Sequence, residues 1–157
     1  MPARFRFRLE PLLKLREALE REALRHLART ISALRAIEAR LAELEAQQLR
    51  AFEGRRVQSG EVVDIDLWRA IERFLVVVER HILATRQDLR DADAQVQEAR
   101  QALAKAHRAH LMLLRLKERR QEQHALEIQR MEYVEADEIA VLRHRFKPAQ
   151  ASIVSGP

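Results

Sequence analysis

Cysteine is absent from this 157-residue chain. That excludes a disulfide framework, a thiolate zinc site and a thiol nucleophile, and it suits a reducing cytoplasm. Asparagine is also absent, with only three Gly and four Pro, so turn formers are scarce between about residues 8 and 145. Aromatic residues make up 4% of the chain, too few for an ordinary globular core. No run of about 18 uncharged apolar residues occurs, so no membrane-spanning helix is expected. The opening MPARFRFRLE has basic residues but lacks the apolar core of a secretory leader. No glycine-rich phosphate loop is present, so the chain is not expected to bind ATP by itself.

What remains is rich in Ala, Glu, Leu, Arg and Gln, with 34% charged residues. High helix propensity and few breakers suit long helices. The net charge of +5 permits an acidic protein surface, nucleic acid or anionic lipid as a partner. Arginine and glutamate interleave along most of the length, as on the solvated faces of coiled coils. Unbalanced positive charge collects at Arg4, Arg6 and Arg8, and at Arg143, Arg145 and Lys147. There is no zinc finger, no aromatic stacking platform and no unbroken basic region, so nucleic acid is not the expected partner.

Apolar residues recur with helical spacing from Leu9 to about 53: Leu9, Leu13, Ala23, Leu27, Leu34, Ile37, Leu41, Leu44 and Ala51, widened by Leu12, Leu19, Leu24 and Ile31. Arg16, Glu20 and Thr30 interrupt this stripe. EGRRVQSGEVVDID follows, with Gly54 and Gly60, and marks a break over about 54–64. Asp64 or Asp66 can cap the next helix, expected over about 65–145. Its seam runs through Trp68, Ile71, Leu75, Val78, Ile82, Leu89, Ala92, Val96, Ala99, Leu103, Ala106 and Leu113, broken only at Thr85 and His110. Steps of three and four sustained over about six heptads predict a coiled coil.

The fold expected over 1–147 is therefore all-α, a two-helix antiparallel coiled-coil hairpin with a C-terminal helical overhang, followed by a disordered tail at 148–157. About forty paired residues would span on the order of 65 Å. Counting along the hairpin sets Leu9 opposite about Ala109. Past Leu113 the seam positions become Lys117, Arg120, His124 and Glu127. Pairing is thus expected to end near residue 110, leaving roughly thirty residues without a partner, an apolar seam that also allows self-association.

The stretch DLWRAIERFLVVVERHIL carries more apolar bulk than one helix face hides. Phe74 and Val77 fall outside the seam, flanked by Leu67 and His81 one heptad to either side. Either the loop residues Val57, Val62, Val63 and Ile65 cover them, or they form an exposed patch for a partner. Chemistry is harder to place. His107 and His110 share a helix face, but the further convergent ligands of a zinc site are missing, and solvated or seam-filling histidine is the simpler reading. Carboxylates are abundant, but a coiled coil offers no water-excluding pocket. Neither catalytic nor metal residues are assigned, no cofactor is expected, and the chain is read as a non-enzyme.

Three stretches resemble one family. FRFRLEPLLKLREALEREA is similar to the start of the flagellar type III export protein family FliJ, and LLRLKERRQEQHALEIQRMEYVEADEIA to its C-terminal block, ending on Asp137, Glu138, Ile139 and Ala140. WRAIERF resembles the aromatic pair that opens the family's second helix. The resemblance implies a cytoplasmic antiparallel coiled coil like the central stalk of rotary ATPases. Its implied partners are the hexameric flagellar export ATPase, the cytosolic domain of the export gate protein and export chaperones, at the inner face of the membrane at the flagellar base. It implies gate binding near the hairpin tip, at Phe74, Val77, Val78 and His81; His81 and Thr85 depart from the family's usual residue types. ATPase-ring binding is expected on the overhang, at Arg119, Arg120, Glu127 and Arg130. Two alternatives remain at this stage: a stalk of a virulence-type secretion system, or a basic coiled coil that binds nucleic acid or a membrane surface.

Overall fold

The computed structural model describes residues 3–58 and 64–147. The described residues form two helices, α1 over Glu10–Gln58 and α2 over Ile65–Arg145, with no strand among them. Val62, Val63 and the tail from Pro148 lie outside the described residues. The chain divides into two units, Lys14–His110 and Met1–Leu13 with Leu111–Pro157.

In the unit Lys14–His110 the helices pair antiparallel. Arg55 Nη1 lies 3.1 Å from Glu72 Oε1, Arg86 Nη2 lies 3.3 Å from Glu45 Oε1, and Glu20 meets His107 and His110. From Arg55 back to Glu20 α1 covers 35 residues, and from Glu72 on to His107 α2 covers the same 35, so the register is the same at both ends of the unit. The predicted α2 seam is the observed one. Leu75, Val78, Ile82, Ala92, Val96 and Ala99 are buried, and Trp68, Ile71, Leu89, Leu103 and Ala106 are half-buried. Thr85 and His110 keep their heptad places as polar members of the seam. Leu41 and Leu44 of α1 pack on Val78 and Ile82. At Ala92, Val96 and Ala99 the seam residues are small, which lets the backbones approach and leaves Val96 only 2% exposed. The α1 stripe is narrower than its sequence suggests: Leu19 and Leu24 are exposed.

Two boundaries differ from expectation. Helix α1 continues through Gly54 to Gln58, rather than ending near 53. Contacts to α2 hold this extra turn in place: Arg55 pairs with Glu72 and lies 4.9 Å over the Trp68 ring. Asp64 is the cap of α2, its Oδ1 accepting from the backbone N–H of Asp66 at 3.1 Å and of Leu67 at 3.3 Å. Glu10 faces Lys117, not the neighbourhood of Ala109.

The other unit corrects the expected end of pairing near residue 110. Lys117 Nζ lies 2.9 Å from Glu10 Oε2. Beyond it, the non-helical arm at 3–9 lies against Leu116, Gln123 and His124 of α2. Phe7 is buried, Phe5 is half-buried and packs its ring 5.6 Å from that of His124, and His124 Nε2 donates to the Ala3 carbonyl at 2.9 Å. Glu10 meets Lys117 and Ala3 meets His124, seven residues apart on the arm and seven apart on α2, so the arm keeps pace with the helix it covers. The side chains from Gln129 to Lys147, along the last part of α2 and just past it, are exposed throughout.

Gly54 sits inside a helix at ordinary negative φ, and a Cβ there would meet only Ile71 Cδ1, at 4.0 Å. Glycine costs helix stability through its backbone freedom, so Gly54→Ala is expected to stabilise the protein by about 0.5–1 kcal/mol. Urea unfolding followed by circular dichroism checks this; a destabilised variant would mean that the last turn of α1 is strained.

Candidate functional site

Two surfaces carry the residues that the sequence singles out. The first is on α2 near its N-terminus. Seam residues one and two positions apart point to different sides of a helix, so with Leu75 and Val78 turned to α1, Phe74 and Val77 turn away. They are 45% and 47% exposed. His81 is exposed as well, whereas Val78 is 3% exposed and lies in the seam beneath them. Val57 and Ile65 are themselves exposed, and Val62 and Val63 lie outside the described residues. A shallow groove beside Phe74 is lined by Gln47, Arg50, Ala51 and Gly54 of α1 and by Ala70 and Ile71 of α2. The family resemblance directs attention to α2 alone, and it does not reveal that α1 contributes half of this groove. Val76 and Leu83, 55% and 59% exposed, are a further apolar pair that reading for the seam alone passes over.

The second surface is the arm with the α2 segment it covers. A groove of about 800 Å³ between the arm and α2 is lined by Arg120 and Glu127 together with Arg4, Arg6 and Arg8. Arg119 and Arg130 are exposed on the same helix. The alternation FRFR is the signal for this arrangement. In an extended segment successive side chains point to opposite sides, so Phe5 and Phe7 turn toward α2 while the three arginines turn to solvent.

A third constellation lies in the unit Lys14–His110. His107 Nδ1 lies 2.7 Å from Glu20 Oε1, and His110 Nδ1 lies 2.5 Å from Oε2. An ionised carboxylate can only accept, so each imidazole carries its hydrogen on Nδ1. Ligand atoms around a tetrahedral zinc stand roughly 3.3 Å apart, so these separations describe hydrogen bonds, not a metal shell. Among the described residues no group of three or more His, Asp or Glu side chains is arranged to hold a metal ion. The hydrogen bond from His107 holds the Glu20 carboxyl below the ordinary carboxylate range, with His110 adding to it and partial burial working against it.

The model of the family described as flagellar FliJ protein matches residues 5–148. The chain belongs to the flagellar FliJ family. Nothing among the curated proteins or the solved structures matches it. Membership makes it a component of the flagellar protein-export apparatus. No helix among the described residues is long and apolar enough to cross a membrane.

For this FliJ-family chain the Glu20 pairing gives a pH dependence of fixed sign. Its folded-state pKa is lowered, so its contribution is complete above the unfolded carboxylate value of about 4.3 and is lost as pH falls through the lower folded value. Glu20→Gln is expected to destabilise the protein by about 1–3 kcal/mol at pH 7. Thermal melts should show the gap to wild type narrowing as the pH falls below the unfolded carboxylate value of about 4.3; a gap unchanged by acid would mean that Glu20 acts through packing alone.

Proposed function

We propose that this protein couples the flagellar export ATPase ring to the export gate and assists export chaperones, without catalysing a reaction itself. Family membership over nearly the whole chain supports the setting. One observation supports the gate contact: Phe74, the position that matches an aromatic of the family's gate-binding surface, is solvent-accessible. Large apolar side chains grouped on the surface of a soluble chain mark interaction sites. In this reading Phe74 and Val77 touch the cytosolic domain of the gate protein, His81 borders the contact, and Val78 supports it from below. Arg119, Arg120, Glu127 and Arg130 meet the ATPase ring, with the basic arm beside them. The protein then works in the cytoplasm, held at the inner face of the membrane through the gate.

Titration calorimetry against the purified cytosolic domain of the gate tests the first contact. Wild type is expected to bind and Phe74→Glu to lose binding by at least about tenfold, with helicity and melting unchanged. Equal binding by both would remove the contact from Phe74. For the second contact, truncation after Leu113 should abolish binding to the ATPase; a truncated chain that still bound it would withdraw the assignment to residues 119–130.

A further inference from the structure

Directly behind the seam, α2 carries a second stripe with the same spacing: Arg69, Arg73, Val76, Arg80 and Leu83 follow at steps of four, three, four and three. All five are exposed. The arginines differ from their neighbours in one respect. Arg50 pairs with Glu43, Arg55 with Glu72 and Arg86 with Glu45, at 3.0, 3.1 and 3.3 Å. Arg69, Arg73 and Arg80 have no ion-pair partner among the described residues; Arg73 Nε reaches only the Arg69 carbonyl, at 3.4 Å. Between Leu67 and Gln87 the carboxylates are Glu72 and Glu79. Glu72 is already engaged by Arg55, and Glu79 follows Val78 on the flank, where residues adjacent in sequence do not face each other. The outward side of α2 from Arg69 to Leu83 therefore presents three uncompensated guanidiniums interleaved with Val76 and Leu83, and it is continuous with Phe74 and Val77.

We infer that this face docks an acidic segment of a protein partner, its carboxylates on Arg69, Arg73 and Arg80 and its apolar side chains on Val76, Val77 and Phe74. The inference rests on the proposed gate contact at Phe74 and names the chemistry that the gate must bring to it. A guanidinium is a planar fork matched to a carboxylate, and alternation with aliphatic side chains fits one face of a peptide segment. A bilayer fits less well. An interfacial helix sinks about 5–10 Å into the headgroup layer on a broad apolar side, whereas the broad apolar side of α2 is committed to α1. Charges at the edge of such a contact act through association rate and specificity, and their effect is screened by salt.

The full-length chain should be titrated with the purified cytosolic domain of the export gate at about 50 and 300 mM NaCl, Debye lengths of roughly 14 and 6 Å. Four forms are compared: wild type, Arg73→Gln/Arg80→Gln, Phe74→Glu, and Arg35→Gln/Arg40→Gln, which removes the same charge from exposed positions of α1. The Arg73/Arg80 variant is expected to bind about tenfold more weakly at low salt and to lose most of the salt dependence, with unchanged melting. The Arg35/Arg40 variant should behave as wild type. If the Arg73/Arg80 variant binds like wild type while Phe74→Glu does not bind, the acidic-segment inference is wrong and the gate contact stands. If wild type does not bind, both are wrong. Loss of affinity in the Arg73/Arg80 variant for anionic phospholipid vesicles but not for the gate would replace the protein segment by a membrane.

Discussion

A helix in a two-helix pair has one neighbour, and every other property of the unit Lys14–His110 follows from that. Its apolar interior is a single seam, and each large aliphatic side chain placed there contributes about 1.5–3 kcal/mol of burial. Leu44, Leu75, Val78 and Ile82 supply that bulk, while Ala92, Val96 and Ala99 supply close approach. No second layer exists to hide anything else. An apolar side chain outside the seam therefore stays in water, where it weakens solubility unless a partner covers it. Phe74, Val76, Val77 and Leu83 are in that position, and folding of this unit gives no reason for them.

The polar residues within the seam address a different problem, because a heptad repeat pairs nearly as well when slipped by seven residues. Apolar would still meet apolar, yet Glu20 would then face Leu103 instead of His110. A carboxylate stripped of both imidazoles and set against leucine loses its hydrogen bonds without regaining water. Glu20 with His107 and His110 thus selects one register out of the several that the leucines allow. Thr30 acts differently. It turns its hydroxyl to the Leu27 carbonyl at 2.8 Å and so occupies the seam without needing a partner across it.

The α2 seam was legible residue by residue, because period 3.5 leaves a strong mark and few residues break it. Legibility failed where the structure depends on the other helix. Gly54 reads as a breaker in isolation and is helical only because Arg55 and its neighbours meet Trp68 and Glu72. Glu20 and His110 read as two separate flaws; only the register shows them to be one contact. The end of pairing depends on the partner in the same way: it follows from Glu10 meeting Lys117, which neither helix shows alone, while FRFR carries the period of two that sets Phe5 and Phe7 on one side of the arm. Phe74 was legible as surplus, whereas the groove that α1 contributes beside it required the actual register.

The arginines show how such a scaffold separates folding from recognition. Arg55 and Arg86 reach across the seam to carboxylates of the other helix, and Arg21, Arg25 and Arg29 reach carboxylates on their own. Exposed pairs of this kind contribute roughly 0–1 kcal/mol each, so leaving a surface arginine without one costs the fold almost nothing. The same guanidinium is worth more against a partner's carboxylate, where water is excluded on assembly and two hydrogen bonds form at once. Uncompensated arginines on the back of α2 and along the arm are therefore nearly neutral for the isolated protein and selective for its partners. In a two-helix unit whose apolar interior is a single seam, recognition falls to faces of this kind, and the charge left unpaired on each face limits what it can bind.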